Sequence, residues 1–195
     1  MVRTVPAVRN LRPGYTITYP NRDKASSQAT KLIVVVILLA SVFLMLAITI
    51  GGWSKLQGLE PVNFVWCIAY LIIAFYVWRW GRGLLPIAAA LAILLLIIAL
   101  IAGTGASGTS WFDRNSFGYS SAQSMFGGTG LSADTLGLLT VLLAPVQVLL
   151  IFFAMRGFAQ GWNVEVEVPI DKLRERAGTS PPGGTTPNSG AAATA

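Results

Sequence analysis

The side chains of this chain that could do chemistry are few and scattered. Gln147 is the most polar residue well inside an apolar run, and Pro145 stands two positions before it. A proline inside a membrane helix frees a backbone carbonyl, and an intramembrane amide needs a partner. Pro145 and Gln147 therefore fit a solute pathway. The plainer expectation is a single interhelical hydrogen bond, worth under about 2 kcal/mol. Trp111, Asp113 and Arg114 lie in a stretch rich in Gly, Ser and Thr. Exposed aromatics on loops often bind something, so Trp111 and Arg114 are candidate partner contacts. The plainer alternative is a loop packed on itself.

Other features point to chemistry less strongly. Gly103, Gly105 and Gly108 match G-x-G-x-x-G, but that pattern cradles a dinucleotide only between a strand and a helix. Here it follows an apolar helix, and a flexible small-residue loop is the expectation. Cys67 is the single cysteine. Without a basic neighbour it is expected to be an inert packing residue rather than a reactive or palmitoylated thiol. Trp78 and Trp80 suit an interfacial aromatic belt better than a quinone or pigment site. There is no histidine, which removes His-based triads, His acid–base catalysis and His ligation of metal or haem. No cofactor is implied.

These residues are carried by long apolar segments. Of the 195 residues 54% are hydrophobic and 11% charged, against about 25% charged in a soluble domain. The expected fold is an all-α membrane protein, a four-transmembrane-helix bundle with spans at about 32–52, 62–78, 84–103 and 136–155. Each has roughly the 17–25 residues needed to cross the hydrocarbon core. Pro61 suits a helix start, Ser132 an N-cap and Asp134 a first helical turn. Pro145 is expected to kink the fourth span. Ala88 with Ala92, and Ala99 with Gly103, place small residues at i, i+4, which would let another helix approach closely; frequent alanine alone would also produce them.

Around the spans, residues 1–31 form a basic segment, 157–176 a strand and short helix, and 177–195 a Gly/Pro/Ser/Thr/Ala tail expected to be disordered. The first apolar run is too long for a signal h-region and is expected to be retained. Tyr15–Tyr19 is β-prone, and Asn163–Val168 alternates with the period of a half-exposed strand. The two would be able to pair as a short cytoplasmic β-ribbon. The loop 104–135 carries scattered aromatics and is expected on the extracytoplasmic side, lying on the membrane surface or on the helix ends.

Charge sets the expected orientation. Twelve Lys or Arg residues fall in the N-terminal segment, the Arg79–Arg82 turn and the region from Arg156 onward, against two, Lys55 and Arg114, in the other connections. By the positive-inside rule both termini are cytoplasmic. The same placement explains the net charge of +6 without a nucleic-acid partner. High Ala, Gly and Arg use with little Lys is the usage of a GC-rich bacterial genome, so a bacterial inner membrane is the expected site. The spans contain no ionisable residue, unlike most ion-coupled transporters. The expected role is a non-enzymatic accessory, assembly or scaffolding component whose partners are the lipid bilayer and other membrane proteins or further copies of the chain. The alternative is a small oligomeric channel or carrier for a neutral solute, with Pro145 and Gln147 as its pathway.

Overall fold

A computed structural model describes residues 13–56, 58–104, 111–113 and 124–176. They divide into two units, one formed by residues 20–164 and one by the segments that flank it. Arg114, Gly105, Gly108 and the 177–195 tail fall outside the described residues.

The flanking unit is small. Strand β1 (Tyr15–Thr18) pairs antiparallel with β2 (Val166–Pro169), Tyr15 facing Pro169 and Thr18 facing Val166. The Thr18 hydroxyl donates to Val166 O, and the Tyr19 hydroxyl to Glu165. The ribbon expected from sequence thus forms, but its second strand begins at Val166 rather than Asn163. A short helix, α6 (Ile170–Arg176), follows it directly.

The larger unit contains α1 (Ala25–Gly51), a single turn α2 (Trp53–Leu56), α3 (Glu60–Trp78), α4 (Leu85–Thr104) and α5 (Ala133–Ala159). A 3-10 turn, Arg82–Leu84, leads into α4. Four of these helices, counting α4 with its leading turn, are long and apolar enough to cross a membrane. α1 starts at Ala25, seven residues before its apolar run, because hydropathy marks the hydrocarbon slab and not the helix end. Its polar first turns are closed by Ser27 N–H donating to Lys24 O at 2.9 Å and by the Thr30 hydroxyl donating to Ser26 O at 2.8 Å. α5 is likewise longer than its apolar run. It is capped by the Ser132 side chain, which accepts from Thr135 N–H at 3.2 Å, and carries Asp134 in its first turn.

Each helix turns one stripe inward. On α1 it runs through Val34, Leu38, Ser41, Met45 and Ile48; on α3 through Cys67, Tyr70, Ala74 and Val77. These are the i, i+3/i+4 steps of a packed face. The other faces leave Phe43, Val65 and Leu138 more than 60% exposed, the pattern of helices meant to be solvated by hydrocarbon rather than water. α1 packs on both α3 and α5, α5 packs along α4, and α3 and α4 scarcely touch. The bundle is therefore an open ring, α3–α1–α5–α4, with a seam between its two ends, α3 and α4.

The α4–α5 contact explains the small residues of α4. Ala88, Ala92 and Ala99 are buried. A Cβ on Gly103 would lie 3.0 Å from Val141 N and 3.2 Å from Gly137 O, so the two backbones meet there.

Candidate functional site

Of the candidate contact and pathway residues singled out in the sequence, the three described ones, Trp111, Pro145 and Gln147, are not brought together. Pro145 and Gln147 are two positions apart, which on a helix of 3.6 residues per turn puts them on nearly opposite faces. Pro145 is exposed on the outer side of α5, while Gln147 is 0% exposed on the inner one. α5 continues unbroken through the proline, whose missing amide leaves the Val141 carbonyl without its helical donor. Trp111 lies at the far end of the bundle, half-buried, its amide donating to Ala102 O at 3.2 Å.

Gln147 is the centre of a polar relay through three helices. The Tyr70 hydroxyl on α3 donates to Gln147 Oε1 at 2.8 Å. Gln147 Nε2 donates to Ser41 Oγ on α1 at 3.0 Å, and that hydroxyl donates to Ile37 O at 2.9 Å. The relay ends on a backbone carbonyl, and both ends of the amide are engaged, as a buried polar group requires. Its chemical capacity is to fix the register of α1, α3 and α5. Replacing Gln147 with leucine is expected to lower stability by about 1–2 kcal/mol, mainly because the Tyr70 hydroxyl loses its acceptor. Adding Tyr70→Phe removes that orphan donor and should cost little more. Denaturation of the single and double variants in mild detergent checks this; fully additive losses would mean the relay contributes nothing.

Trp111 and the buried Phe112 line an apolar cavity of about 300 Å³ beside Leu56, Ile98, Ile101 and Leu143. Ile98 and Ile101 are both more than half exposed, and Asn63 of α3 lines the cavity across from them, so it lies at the α3–α4 seam. Asn63 and Thr140 are its polar groups. Both are already used: Asn63 Nδ2 donates to Thr49 Oγ1 at 3.1 Å and the Thr140 hydroxyl to Leu136 O at 2.7 Å. The geometry suits apolar groups, and among the described lining residues there is no acid–base pair. Segment 129–131 closes this end, with Ser54 Oγ donating to Thr129 O at 2.9 Å and Leu131 N–H to Gly51 O at 2.9 Å, joined by Lys55 Nζ on Leu131 O.

The opposite end holds a cluster that the sequence did not mark as one. Trp80 stands edge-on to Trp162 with ring centres 5.3 Å apart, and the Lys31 ammonium lies 4.2 Å from the centre of the Trp80 ring and 4.9 Å from that of Trp78. Trp162 is fully buried, and its Nε1 donates to Gln160 Oε1 at 2.9 Å. Gln160 Nε2 in turn donates to Thr30 Oγ1 at 3.0 Å. Arg22 donates to Trp162 O at 3.2 Å and to Asn163 Oδ1 at 2.9 Å. A glycine in the left-handed region just past α5, Gly161 at φ 62°, is the signal that turns the chain back here.

Cys67 is a free thiol buried in the core. Among the described residues, no group of three or more His, Cys, Asp or Glu side chains is placed to hold a metal ion. Comparison with protein-family models, with curated proteins and with solved structures finds no match to this chain.

Proposed function

We propose that the chain is a non-enzymatic accessory or assembly component of a membrane, inserted with both termini in the cytoplasm, that works by packing sideways against other membrane proteins. The observation that supports this reading is the open α3–α4 seam with its apolar cavity. Elsewhere in the bundle Tyr70, Gln147 and Ser41 tie α1, α3 and α5 together by hydrogen bonds and α4 packs along α5, so the seam is where the bundle remains incomplete. In lipid, association of helices relies on close van der Waals packing, and a cleft between two helices offers more of it than a convex face does.

Cysteine cross-linking in native membranes tests the reading. In a Cys67→Ala background, a cysteine replacing Ile98 at the seam is expected to cross-link to a second protein, while one replacing Leu138, exposed on α5, is not. Equal behaviour at both positions would overturn it. The orientation rests on the twelve-to-two charge count. It predicts that reporters fused at the C-terminus and in the 104–135 loop report opposite sides.

A further inference from the structure

Trp80 is the one described non-glycine residue with a positive φ, 68°. Its amide donates to Val77 O at 2.9 Å, and the Gly81 amide donates to Tyr76 O at 2.8 Å. These paired bonds are the Schellman ending of a helix, in which glycine usually fills the left-handed position. A tryptophan there is strained by about 1–3 kcal/mol, and such strain concentrates at functional sites. What the indole gains is contact: the edge of Trp162 on one side, and the charge of Lys31 over its face. Lys31 is thereby spread across two indoles, and among the described residues no carboxylate or other acceptor engages its ammonium.

The antiparallel order of the helices gathers more charge at this end. The start of α1, the end of α3, the start of α4 and the end of α5 contribute Arg22, Lys24, Lys31, Arg79, Arg82 and Arg156 against one acid, Asp23. Arg82 is anchored by Nε donating to Phe158 O at 2.7 Å, with its guanidinium carbon 4.4 Å from the centre of the Phe158 ring. Its terminal nitrogens have no acceptor among the described residues, and the Arg79 guanidinium rests over Phe75. Indoles at interface depth beside a cation with open donors have the chemistry for a lipid phosphate.

We propose that this end of the bundle binds the headgroup of an anionic glycerophospholipid, with Lys31 on the Trp78–Trp80 platform as the principal contact and Arg79 and Arg82 flanking it. A zwitterionic headgroup brings its own ammonium into a cluster of six cations and one acid and is disfavoured. The site does not depend on the lateral-packing reading above, nor on which way the bundle is turned.

The test uses the full chain in lipid nanodiscs. Lipid bound in the first shell is quantified by mass spectrometry from mixtures of phosphatidylglycerol and phosphatidylcholine. Wild type is expected to enrich phosphatidylglycerol, and Lys31→Gln to lose about fivefold of that selectivity, the effect of one cation near the surface. Lys31→Arg should retain it. Trp80→Gly keeps the turn, since glycine adopts the left-handed conformation freely, and should lose selectivity because the platform is gone. Lys55→Gln, at the opposite end, should leave it unchanged. Enrichment unaffected by Lys31→Gln and Trp80→Gly would overturn the proposal. So would displacement of the bound lipid by millimolar inorganic phosphate, which would assign the site to a free anion instead.

Discussion

Replacing Gly103 with leucine is expected to force α4 away from α5 and to lower the stability of the bundle by about 3 kcal/mol, the upper part of the range for overfilling a packed core. Even a single added carbon at Gly103 would fall 3.0 Å from Val141 N and 3.2 Å from Gly137 O. Backbone atoms of a neighbouring helix cannot rotate out of the way, so the helices must move apart. The α4–α5 pair is the most extensive in the bundle, and its separation would also loosen the buried stripe through Leu143, Gln147 and Leu150. Two other glycines calibrate the effect. A Cβ on Gly51 would collide only with the tip of Leu131, a flexible side chain that can turn aside, and one on Gly83 would meet nothing within 4 Å. Gly83→Ala is expected to stay within about 0.5 kcal/mol of wild type, Gly51→Ala slightly below it, and Gly103→Leu far below both. Reversible unfolding in mixed micelles orders the three; a Gly103 variant as stable as the Gly83 variant would contradict the close approach.

The small-residue spacing at Ala99 and Gly103 is readable in the sequence, because i, i+4 glycine and alanine have a direct geometric consequence. The identity of the partner helix was not readable, since hydropathy says where a span lies and nothing of its rotation or neighbours. The same division runs through the rest of the chain. The four long helices follow from apolar length, and the ribbon partners Tyr15–Thr18 and Val166–Pro169 from β-prone and alternating residues. The helices run past the apolar spans wherever polar turns continue them, as at Ala25 and Ala159. There, side-chain and backbone hydrogen bonds replace hydrocarbon as the reason for the helix.

For the candidate site, type and spacing found Gln147 and its need for an interhelical partner, but not which helices supply one. The relay to Tyr70 and Ser41 joins residues 77 and 106 positions away in sequence, and no local pattern encodes such a meeting. Pro145 is Gln147's neighbour in sequence, but helical geometry sends the two side chains to different surroundings. Trp78 and Trp80 read as an aromatic belt, and the exposure of Trp78 fits that. Trp80 differs because its backbone conformation, invisible in the sequence, sets its ring against Lys31 and Trp162.

Trp162→Ala is expected to lower stability by about 3–5 kcal/mol, the usual loss when a fully buried tryptophan is truncated. That corresponds to a Tm lower by roughly 10 °C for a chain of this size. Trp162 follows the charged end of α5 in a polar segment, where a tryptophan reads as a surface residue, yet it is 0% exposed. The left-handed Gly161 reverses the chain so that the indole packs against Trp80 and comes close to Gly157, where an added Cβ would lie 3.1 Å from Trp162 Cζ2. Its loss would leave a cavity and free Gln160, whose amide links the indole to Thr30 at the start of α1. Trp162→Phe should recover part of the loss, since an aromatic edge remains against Trp80 while the Nε1 hydrogen bond is gone. The sharper measurement is the cycle with Trp80→Gly. Trp80 is strained, and Trp162 is among the contacts that hold it, so removing both residues should cost less than the sum of the single losses by at least about 0.5 kcal/mol. Strict additivity would mean that the edge-to-face pair does not sustain the left-handed Trp80, and that its conformation is set within the Arg79–Arg82 turn alone.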